Sequence, residues 1–246
     1  MDAFFARYFP HDGDAAEGYH EAIRTALPDT RRLLDLGCGD NTDLAVYRGG
    51  NREVWGVDFQ AHPQLANRAW FRPLEANGRV PFPDGYFDTI ASRWVLEHVE
   101  TPQRFLDEVR RLLRPGGSFI ALTVNASHYV SWLSRLTDLL PHTAKQWLVQ
   151  RLYARPIHDT FPTCYRLNTR AGLRRQALRT GLHLTAVARF ANPDYFSFSP
   201  LLRRGAVLTD WLLEQAGTDL GRLYMVVTLH KPAAPVTRRN DRRIAA

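Results

Sequence analysis

The stretch LLDLGCGDNT at residues 33–42 decides the fold. Its apolar run reaches a carboxylate, Asp35, and two glycines follow at alternate positions, Gly37 and Gly39. This order predicts a buried parallel strand that ends at a tight turn opening a helix. Glycine at both places allows a positive φ and lets a ligand approach without a Cβ in the way. Because such crevices at strand ends bind nucleotide-like ligands, we expect a ligand site here, the alternative being a purely structural turn.

The type of ligand follows from what surrounds the two glycines. The sixth position of a dinucleotide fingerprint, G-x-G-x-x-G, is Thr42 rather than glycine. Asp35 would repel a pyrophosphate but suits a cation, and S-adenosyl-L-methionine carries a sulfonium and an ammonium and no phosphate. A second predicted strand ends at Asp58, about 20 residues past the glycines, where an acid binds ribose hydroxyls. The other interpretation of Asp58 is a helix N-cap or a solvated strand end.

The overall composition is that of a globular protein. The 246 residues suffice for one α/β domain with additions, and 45% of them are hydrophobic. Only Cys38 and Cys164 are present, without a CxxC pair, and neither a secretion signal nor a membrane span is recognisable. We therefore expect a cytoplasmic protein. The net charge of +7 indicates either scattered surface arginines or attraction to anionic partners.

Apolar segments alternate with helical patterns, which predicts a parallel sheet with right-handed crossovers. Strands are expected at 32–36, 54–58, 69–74, 88–92 and 118–124. Helices are expected at 17–27, from Thr42 or Asp43 to Tyr47, at 62–68, and from Thr101, as N-cap, through residues 102–113.

Five segments together resemble the class I S-adenosylmethionine-dependent methyltransferases, in particular their small-molecule and quinone subgroup. These segments are residues 33–40, 57–58, 81–88, 96–99 and 111–117. The resemblance implies an α/β, Rossmann-like fold: a seven-stranded, mostly parallel sheet in the order 3-2-1-4-5-7-6, with the last strand antiparallel and helices on both faces. It places strand six at 182–189, a helix after Ser199-Pro200, and the final strand at 222–230.

The chain divides into five parts on this interpretation. Residues 1–18 form an N-terminal arm or a flap over the pocket, and 19–125 form the cofactor-binding half. A helical insert at 126–168, of two short helices, precedes the C-terminal part at 169–232 and a disordered tail at 233–246. The insert is a lid over the substrate, a peripheral membrane contact through 130–155, or packing against the sheet edge or another subunit.

The resemblance implies S-adenosyl-L-methionine as the cofactor. Asn41 stands where the family usually has a third glycine, and either Glu75 or Asn77 takes the place of its adenine-binding acid. Aromatic faces such as Trp94 or Tyr19 would help to hold the cationic cofactor. The expected cofactor-binding residues are Asp35, Gly37, Cys38, Gly39, Asp58, Phe59, Glu75, Ala76, Asn77, Arg93 and Trp94.

Glu97-His98 is similar to the end of a metal-binding Glu-x-x-x-Glu-His run in ubiquinone O-methyltransferases. Arg93 occupies the first glutamate position, and a cation there removes a ligand, so we expect no metal. His98 is either a general base or a histidine bonded to backbone at a helix start. The expected substrate contacts are Tyr19, Glu97, His158, Asp159, Tyr165 and Arg166, the last four being alternatively ion-paired loop anchors.

These expectations combine into an S-adenosylmethionine-dependent methyltransferase that acts on a small-molecule acceptor by direct displacement. One alternative is a nucleic-acid methyltransferase, for which the charge of +7 argues. We expect no stable nucleic-acid partner, because neither an added RNA-binding module nor a basic stripe is recognisable. The other alternative is a catalytically silent cofactor-binding protein.

Overall fold

The computed structural model describes residues 3–10, 12–40, 43–59, 68–137 and 163–233. A seven-stranded sheet in the order β3-β2-β1-β4-β5-β7-β6 forms the centre of the molecule. β7 runs antiparallel to β5 and β6, and the other pairs are parallel, which confirms the expected fold. The strands are β1 (Arg32–Leu36), β2 (Glu53–Asp58), β3 (Phe71–Pro73), β4 (Phe87–Arg93), β5 (Leu113–Val124), β6 (His183–Phe190) and β7 (Tyr224–His230).

Helices cover both faces of the sheet because each buries one apolar stripe against it. Tyr19 and Ile23 of α2 pack on one face, and α3 and α5 pack on the other, where Leu106, Val109 and Leu173 are fully buried. The helices are α1 (Ala3–Tyr8), α2 (Ala15–Ala26), α3 (Pro102–Leu112), α4 (Tyr129–Thr137), α5 (Arg170–Arg179) and α6 (Pro200–Gln215). Short 3-10 turns lie at Leu27–Asp29, Leu44–Tyr47, Leu96–His98, Pro193–Phe196 and Asp219–Gly221.

Several element boundaries differ from the sequence prediction. The second helix begins at Ala15 rather than residue 17, because Asp14 caps it by accepting the amides of Ala16 and Glu17. β5 begins at Leu113 rather than residue 118, since the segment expected to end the third helix already pairs with β4 across a register shift. α5 is absent from the prediction altogether.

The Thr101 cap was wrong, and of the alternatives Thr42 and Asp43 the second does not cap its turn. The Thr101 side chain makes no capping hydrogen bond, although Pro102 does begin α3. Asp43 precedes the turn at Leu44–Tyr47 without capping it, because its carboxylate contacts His20 and Arg93 instead. The Asp43 contacts are tertiary, and the local sequence does not encode them.

The N-terminal segment packs against the C-terminal part of the chain. Phe5 and Phe9 form a buried cluster with Val207 of α6. The Asp12 carboxylate accepts the Ala191 amide at 2.9 Å and pairs with the Arg222 guanidinium at 2.6 Å. Residues 3–10 therefore lie on α6 instead of extending as an arm.

Some predictions concern residues outside the described ranges. They include the Thr42 cap, most of the helix at 62–68, the second helix of the insert, His158, Asp159, and the tail apart from Ala233. Within the described ranges, no helix combines the length and the apolar character needed to cross a bilayer.

Candidate functional site

Asp35 marks the centre of the site. It is the penultimate residue of β1 and is paired in register with Gly56 of β2 and Ala91 of β4, so it lies in the middle of the sheet near the carboxyl ends of its strands. It is 5% exposed. Its carboxylate makes no hydrogen bond or ion pair with another described residue. A buried carboxylate without a donor is costly to the fold, which points to a ligand as its partner.

Gly37 and Gly39 form a tight corner after β1, called here the glycine corner (residues 37–39). The amides of Gly37 and Cys38 both donate to the Val57 carbonyl, at 2.8 and 3.1 Å. Gly37 has φ +80°, and a Cβ there would lie 2.3 Å from a Val95 methyl. Gly39 has φ +52°, but a Cβ there would meet open space. The first glycine is therefore required by both conformation and space, and the second by conformation alone.

Asp58 lies beside this corner at the end of β2. One of its carboxylate oxygens accepts the Gly39 amide at 2.8 Å. The two acids therefore end adjacent strands, as the sequence predicted, and Asp58 contributes to the electrostatic environment of Asp35. The next residue, Phe59, is 65% exposed and presents an apolar ring at the same edge.

The third part of the expected cofactor cradle is the turn after β3. It is held near Asp58, because the Leu74 amide donates to the Asp58 carbonyl at 2.9 Å. Glu75 and Asn77 are exposed on either side of Ala76 and are bonded to each other at 3.3 Å, and Asn77 also accepts the Arg79 amide. The choice between Glu75 and Asn77 as the adenine contact stays open.

Arg93 ends β4 and faces the glycine corner. Its guanidinium pairs with Asp43 at 3.1 Å, and the second Asp43 oxygen is 3.2 Å from Nε2 of His20. His20 continues to the Tyr47 hydroxyl at 2.8 Å through Nδ1. Asp43 is thus held from two sides, by His20 and by Arg93. The sequence analysis did not predict the contacts that link Asp43, His20 and Tyr47, because these residues come together only in the folded chain.

The Tyr19 hydroxyl is the second buried polar group at this place that lacks a protein partner. The side chain is fully buried, and its oxygen makes no hydrogen bond within the described structure. Burial, followed by the charges of Asp35 and Asp43, raises the pKa of Tyr19 well above its ordinary value, while Arg93 lowers it. Tyr19 therefore lies within reach of the same electrostatic cluster and offers a donor to a ligand there.

The same surroundings change the acidity of Asp35. Burial is the largest cause, the Asp43 charge acts in the same direction, and Arg93 opposes both; together they raise the pKa of Asp35 to about 8. Near neutral pH the carboxyl group is therefore largely protonated until a cation arrives. Burial also raises the pKa of the Cys38 thiol, whose side chain packs against Phe71 rather than joining the acids.

The exit of β4 is strained at Trp94, which has φ +58°. Its amide donates to the Leu122 carbonyl at 3.0 Å, and its ring meets Tyr224 edge-on at 5.0 Å between centroids. The indole is 37% exposed. A non-glycine residue in this conformation is held by its surroundings, a feature common at binding sites.

Glu97, predicted as a substrate contact, is instead part of a buried network. It is 6% exposed and accepts the Thr123 hydroxyl at 2.8 Å. Asn168 donates to the same hydroxyl at 2.6 Å. Burial raises the pKa of Glu97, with the Thr123 hydrogen bond acting in the opposite direction. Glu97 therefore joins the ends of β4 and β5 to the chain returning from the insert.

Two further predicted substrate residues, Tyr165 and Arg166, lie on a rim, defined here as residues 94–100 and 163–168. The Glu97 carbonyl accepts the amides of Cys164 and Tyr165, at 2.6 and 3.1 Å. Arg166 donates to the Glu100 carbonyl at 2.8 Å, as expected of a loop anchor. His98 is half-buried at the end of the 3-10 turn Leu96–His98, beside these bonds. The rim thus brings His98, Tyr165 and Arg166 to one edge.

The described residues contain no group of three or more His, Cys, Asp or Glu side chains arranged to hold a metal. Arg93, at the position where a carboxylate would be needed, is committed to Asp43. The absence of a metal stays a prediction, and it concerns the part of the chain with described coordinates.

A family model described as a methyltransferase domain matches residues 8–187. A tRNA U34 carboxymethyltransferase of Idiomarina loihiensis is 34% identical over 109 residues, which cover 38% of this chain and 33% of that protein. The ubiquinone/menaquinone biosynthesis C-methyltransferase UbiE of Cupriavidus metallidurans is 28% identical over 133 residues, covering 50% and 54%. The chain spans a third to a half of the length of the first such relatives.

Among solved structures, a Burkholderia thailandensis 1,6-didemethyltoxoflavin-N1-methyltransferase is similar with a TM-score of 0.53. The match covers 89% of this chain and 78% of that one at 16% identity. At this identity the likeness concerns the fold alone.

Proposed function

Because the chain belongs to the class I S-adenosylmethionine-dependent methyltransferase family, we propose that it transfers a methyl group from S-adenosyl-L-methionine to a small-molecule acceptor. Family membership confirms the class and the cofactor expected from the motifs. The acceptor, the reaction at that acceptor and the residues that carry it are the proposal.

The observation that carries it is the unpartnered carboxylate of Asp35 at the glycine corner, next to Asp58. Asp35 is buried, its pKa is raised to about 8, and no described donor neutralises it. A cationic ligand would neutralise Asp35, and its ribose would reach Asp58, which already accepts the Gly39 amide. The Tyr19 hydroxyl supplies a further buried donor at the same place.

The rim bounds the acceptor side of the site, and the name of one relative supports a small acceptor. The residues after the insert are tied directly to Glu97 by two backbone hydrogen bonds, which leaves the acceptor side bounded by His98, Tyr165 and Trp94. One relative is named for a small-molecule pathway, a ubiquinone/menaquinone biosynthesis C-methyltransferase.

The protein contributes alignment more than chemistry on this proposal. The bound cofactor supplies an activated methyl group on a sulfonium. Asp35 and the glycine corner fix one end of the pocket, and the rim positions the acceptor, so that the rate gain is mainly one of proximity. His98 accepts the proton where the acceptor is a hydroxyl or an amine.

RNA is the second candidate acceptor. One relative is named a tRNA U34 carboxymethyltransferase, and α5 exposes four arginines, Arg170, Arg174, Arg175 and Arg179. The rim does not discriminate between the two acceptor classes. Cytoplasmic location and membrane contact through 130–155 stay predictions; the described part of that segment exposes Trp132 and Leu133.

Calorimetry with S-adenosyl-L-methionine, followed by turnover across a panel of phenols, quinols and amines with product mass detection, tests the proposal. We expect binding, methylated product from at least one panel member, and a loss of affinity of about 100-fold or more for Asp35→Asn, because the buried charge partner is removed. Asp29→Asn, an exposed acid outside the pocket, serves as the control. Absence of binding contradicts the proposal, and binding with turnover of RNA but no panel member favours the second candidate.

A further inference from the structure

We propose that the outer surface of α5 and α3 binds single-stranded RNA through its phosphate backbone. This surface, called here the arginine face, consists of Arg170, Arg174, Arg175 and Arg179 of α5 with Arg104 and Arg110 of α3, all of which are exposed. The proposal does not require that RNA be the methyl acceptor. It departs from the expectation of no nucleic-acid partner, which rested on the absence of a recognisable basic stripe.

The charge of this face is not neutralised by ion pairs with the described residues. α5 contains no acidic residue, and none of its four arginines forms an ion pair with another described residue. Some arginines elsewhere are paired with acids, for example Arg111 with Asp84 and Glu108, and Arg222 with Asp12 and Glu214. Like charges held together without counterions raise the free energy of the folded protein, and an anionic partner relieves this cost.

One exposed carboxylate interrupts the face. Asp107 lies on α3 between Arg104 and Arg110, and both of its oxygens are near the Gln103 amide nitrogen, at 3.3 Å. The neighbouring Glu108 is fully engaged by Arg111 and the Val80 amide. Six arginines therefore outweigh a single unneutralised acid on the two helices.

The two helices form one continuous surface. α3 and α5 pack against the same face of the sheet, and the Arg110 side chain lies 3.2 Å from the Cβ position of Gly181, just after α5. Arg170 and Arg174, like Arg175 and Arg179, are four residues apart, which brings their side chains within about 6 Å along the helix. Such rows of planar guanidinium groups suit bidentate binding of successive phosphates.

The face begins at the proposed active site. α3 starts four residues after His98, and α5 starts two residues after Asn168, which bonds to Thr123 at the end of β5. Arg104 and Arg170 therefore lie at the end nearest the rim, and Arg110 and Arg179 lie at the opposite end. A strand along the face would have one end at the rim.

An anionic membrane is a poorer match for this face. Membrane-binding helices need a broad apolar face between their basic residues. Leu178 is the one large hydrophobic side chain that α3 and α5 expose, whereas α4 and α6 expose Trp132, Leu201 and Leu212 among others. A phosphate backbone requires no apolar surface and uses the guanidinium groups directly.

The test is fluorescence anisotropy of the full chain with a labelled 20-nucleotide oligo(U) at 50 to 200 mM salt. Contact with about four phosphates predicts a roughly 50-fold loss of affinity over this range, because single strands lose about 0.7 log units of affinity per phosphate for each tenfold rise in salt. Arg174→Gln with Arg175→Gln should lower that slope by about 1.4. The control, Arg7→Gln with Arg204→Gln, removes the same charge from α1 and α6 and should leave the slope within about 0.3.

Four outcomes would overturn the proposal: no binding at 50 mM salt, equal effects of both double variants, equally tight binding of poly-L-glutamate, and stronger retention on phosphatidylserine vesicles than on RNA. The third outcome would indicate an acidic protein partner and the fourth a membrane. Calorimetry with S-adenosylhomocysteine is run in parallel, and we expect the Arg174→Gln, Arg175→Gln variant to bind it as the unaltered chain does. Loss of RNA binding with intact cofactor binding separates this inference from the proposed function.

Discussion

Asp35 and Glu97 are both buried acids at the carboxyl ends of neighbouring strands, and they differ in what surrounds them. Glu97 accepts a hydrogen bond from Thr123, which Asn168 supports in turn, and its backbone carbonyl holds the chain after the insert. Asp35 has no described donor and faces further acids, whose effect the Arg93 charge opposes. Burial raises the pKa of both acids.

The contrast separates a structural acid from one that awaits a ligand. A network whose members satisfy one another stabilises the fold and needs no further partner. A buried carboxylate without a partner lowers the stability of the free protein, and the free energy of ligand binding can offset this loss. Asp35, Asp58 and the glycine corner form the side of the site that would bind the methyl donor, called here the donor half. Substitution of its acids is therefore expected to change cofactor affinity, whereas substitutions in the rim should mainly change the free energy of unfolding.

The largest effect is expected at the glycine corner. Gly37→Ala forces a residue with φ +80° to carry a Cβ 2.3 Å from Val95, and we expect it to lower the free energy of unfolding by about 3 kcal/mol. Gly39→Ala has a similar backbone strain but open space, so about 1 kcal/mol is expected. Urea denaturation of both variants measures the difference, and equal losses would contradict the close approach of Val95.

The next effect concerns the rim. Glu97→Ala leaves the Thr123 and Asn168 network without its acceptor and should cost about 2 kcal/mol of stability. Glu97→Gln keeps the size and an acceptor oxygen and should cost less than about 1 kcal/mol. Neither variant should change S-adenosylhomocysteine affinity by more than about threefold. A large loss of cofactor affinity in Glu97→Gln would show that this acid also belongs to the donor half.

The donor half was predictable from sequence to a greater degree than the rim. Asp35, the two glycines and Asp58 lie in short local motifs whose spacing encodes a strand, a turn and a second strand end, so that their meeting follows from sheet topology. Thr123 and Asn168 carry no such motif. They reach Glu97 from the end of β5 and from beyond the insert, contacts that depend on the tertiary fold.

The same reason explains the misplaced details. Asp43 has the sequence position of a cap, but His20 from α2 and Arg93 from β4 bind it instead. α5 contains five charged or amide side chains in ten residues. Its buried Leu173 and Ala177 give a hydrophobic periodicity too weak to predict a helix. The predicted cofactor contacts of four further residues stay predictions, those of Phe59, Glu75, Ala76 and Asn77.

The pH dependence of cofactor affinity is a further difference between Asp35 and Glu97, and its expected effect is smaller. Since the pKa of Asp35 is raised to about 8, a bound cation must displace its proton at lower pH. Affinity for S-adenosyl-L-methionine should therefore rise by up to about tenfold per unit between pH 5.5 and 7.5, and calorimetry in buffers of different ionisation enthalpy should detect nearly one proton released.

The stability of the free protein should change in the opposite sense. A raised folded-state pKa means that the contribution of Asp35 to stability is complete below about pH 4 and is lost as pH rises through about 8. Asp35→Asn should flatten both profiles, whereas Glu97→Gln should leave the affinity profile unchanged. A pH-independent affinity in the unaltered chain would contradict a protonated Asp35.

The smallest effect is expected for Arg93, the cation whose charge opposes those of the acids around Asp35. Asp43 keeps its bond to His20 when Arg93 leaves it, so the guanidinium is available to the carboxylate of the methionine part of the cofactor. Arg93 is 37% exposed, so water screens this interaction, and Arg93→Gln should weaken S-adenosylhomocysteine binding by about fivefold. 5′-Methylthioadenosine lacks the carboxylate and should bind both forms alike. Equal weakening of the two ligands would mean that Arg93 acts by holding Asp43 and the glycine corner rather than by binding the cofactor.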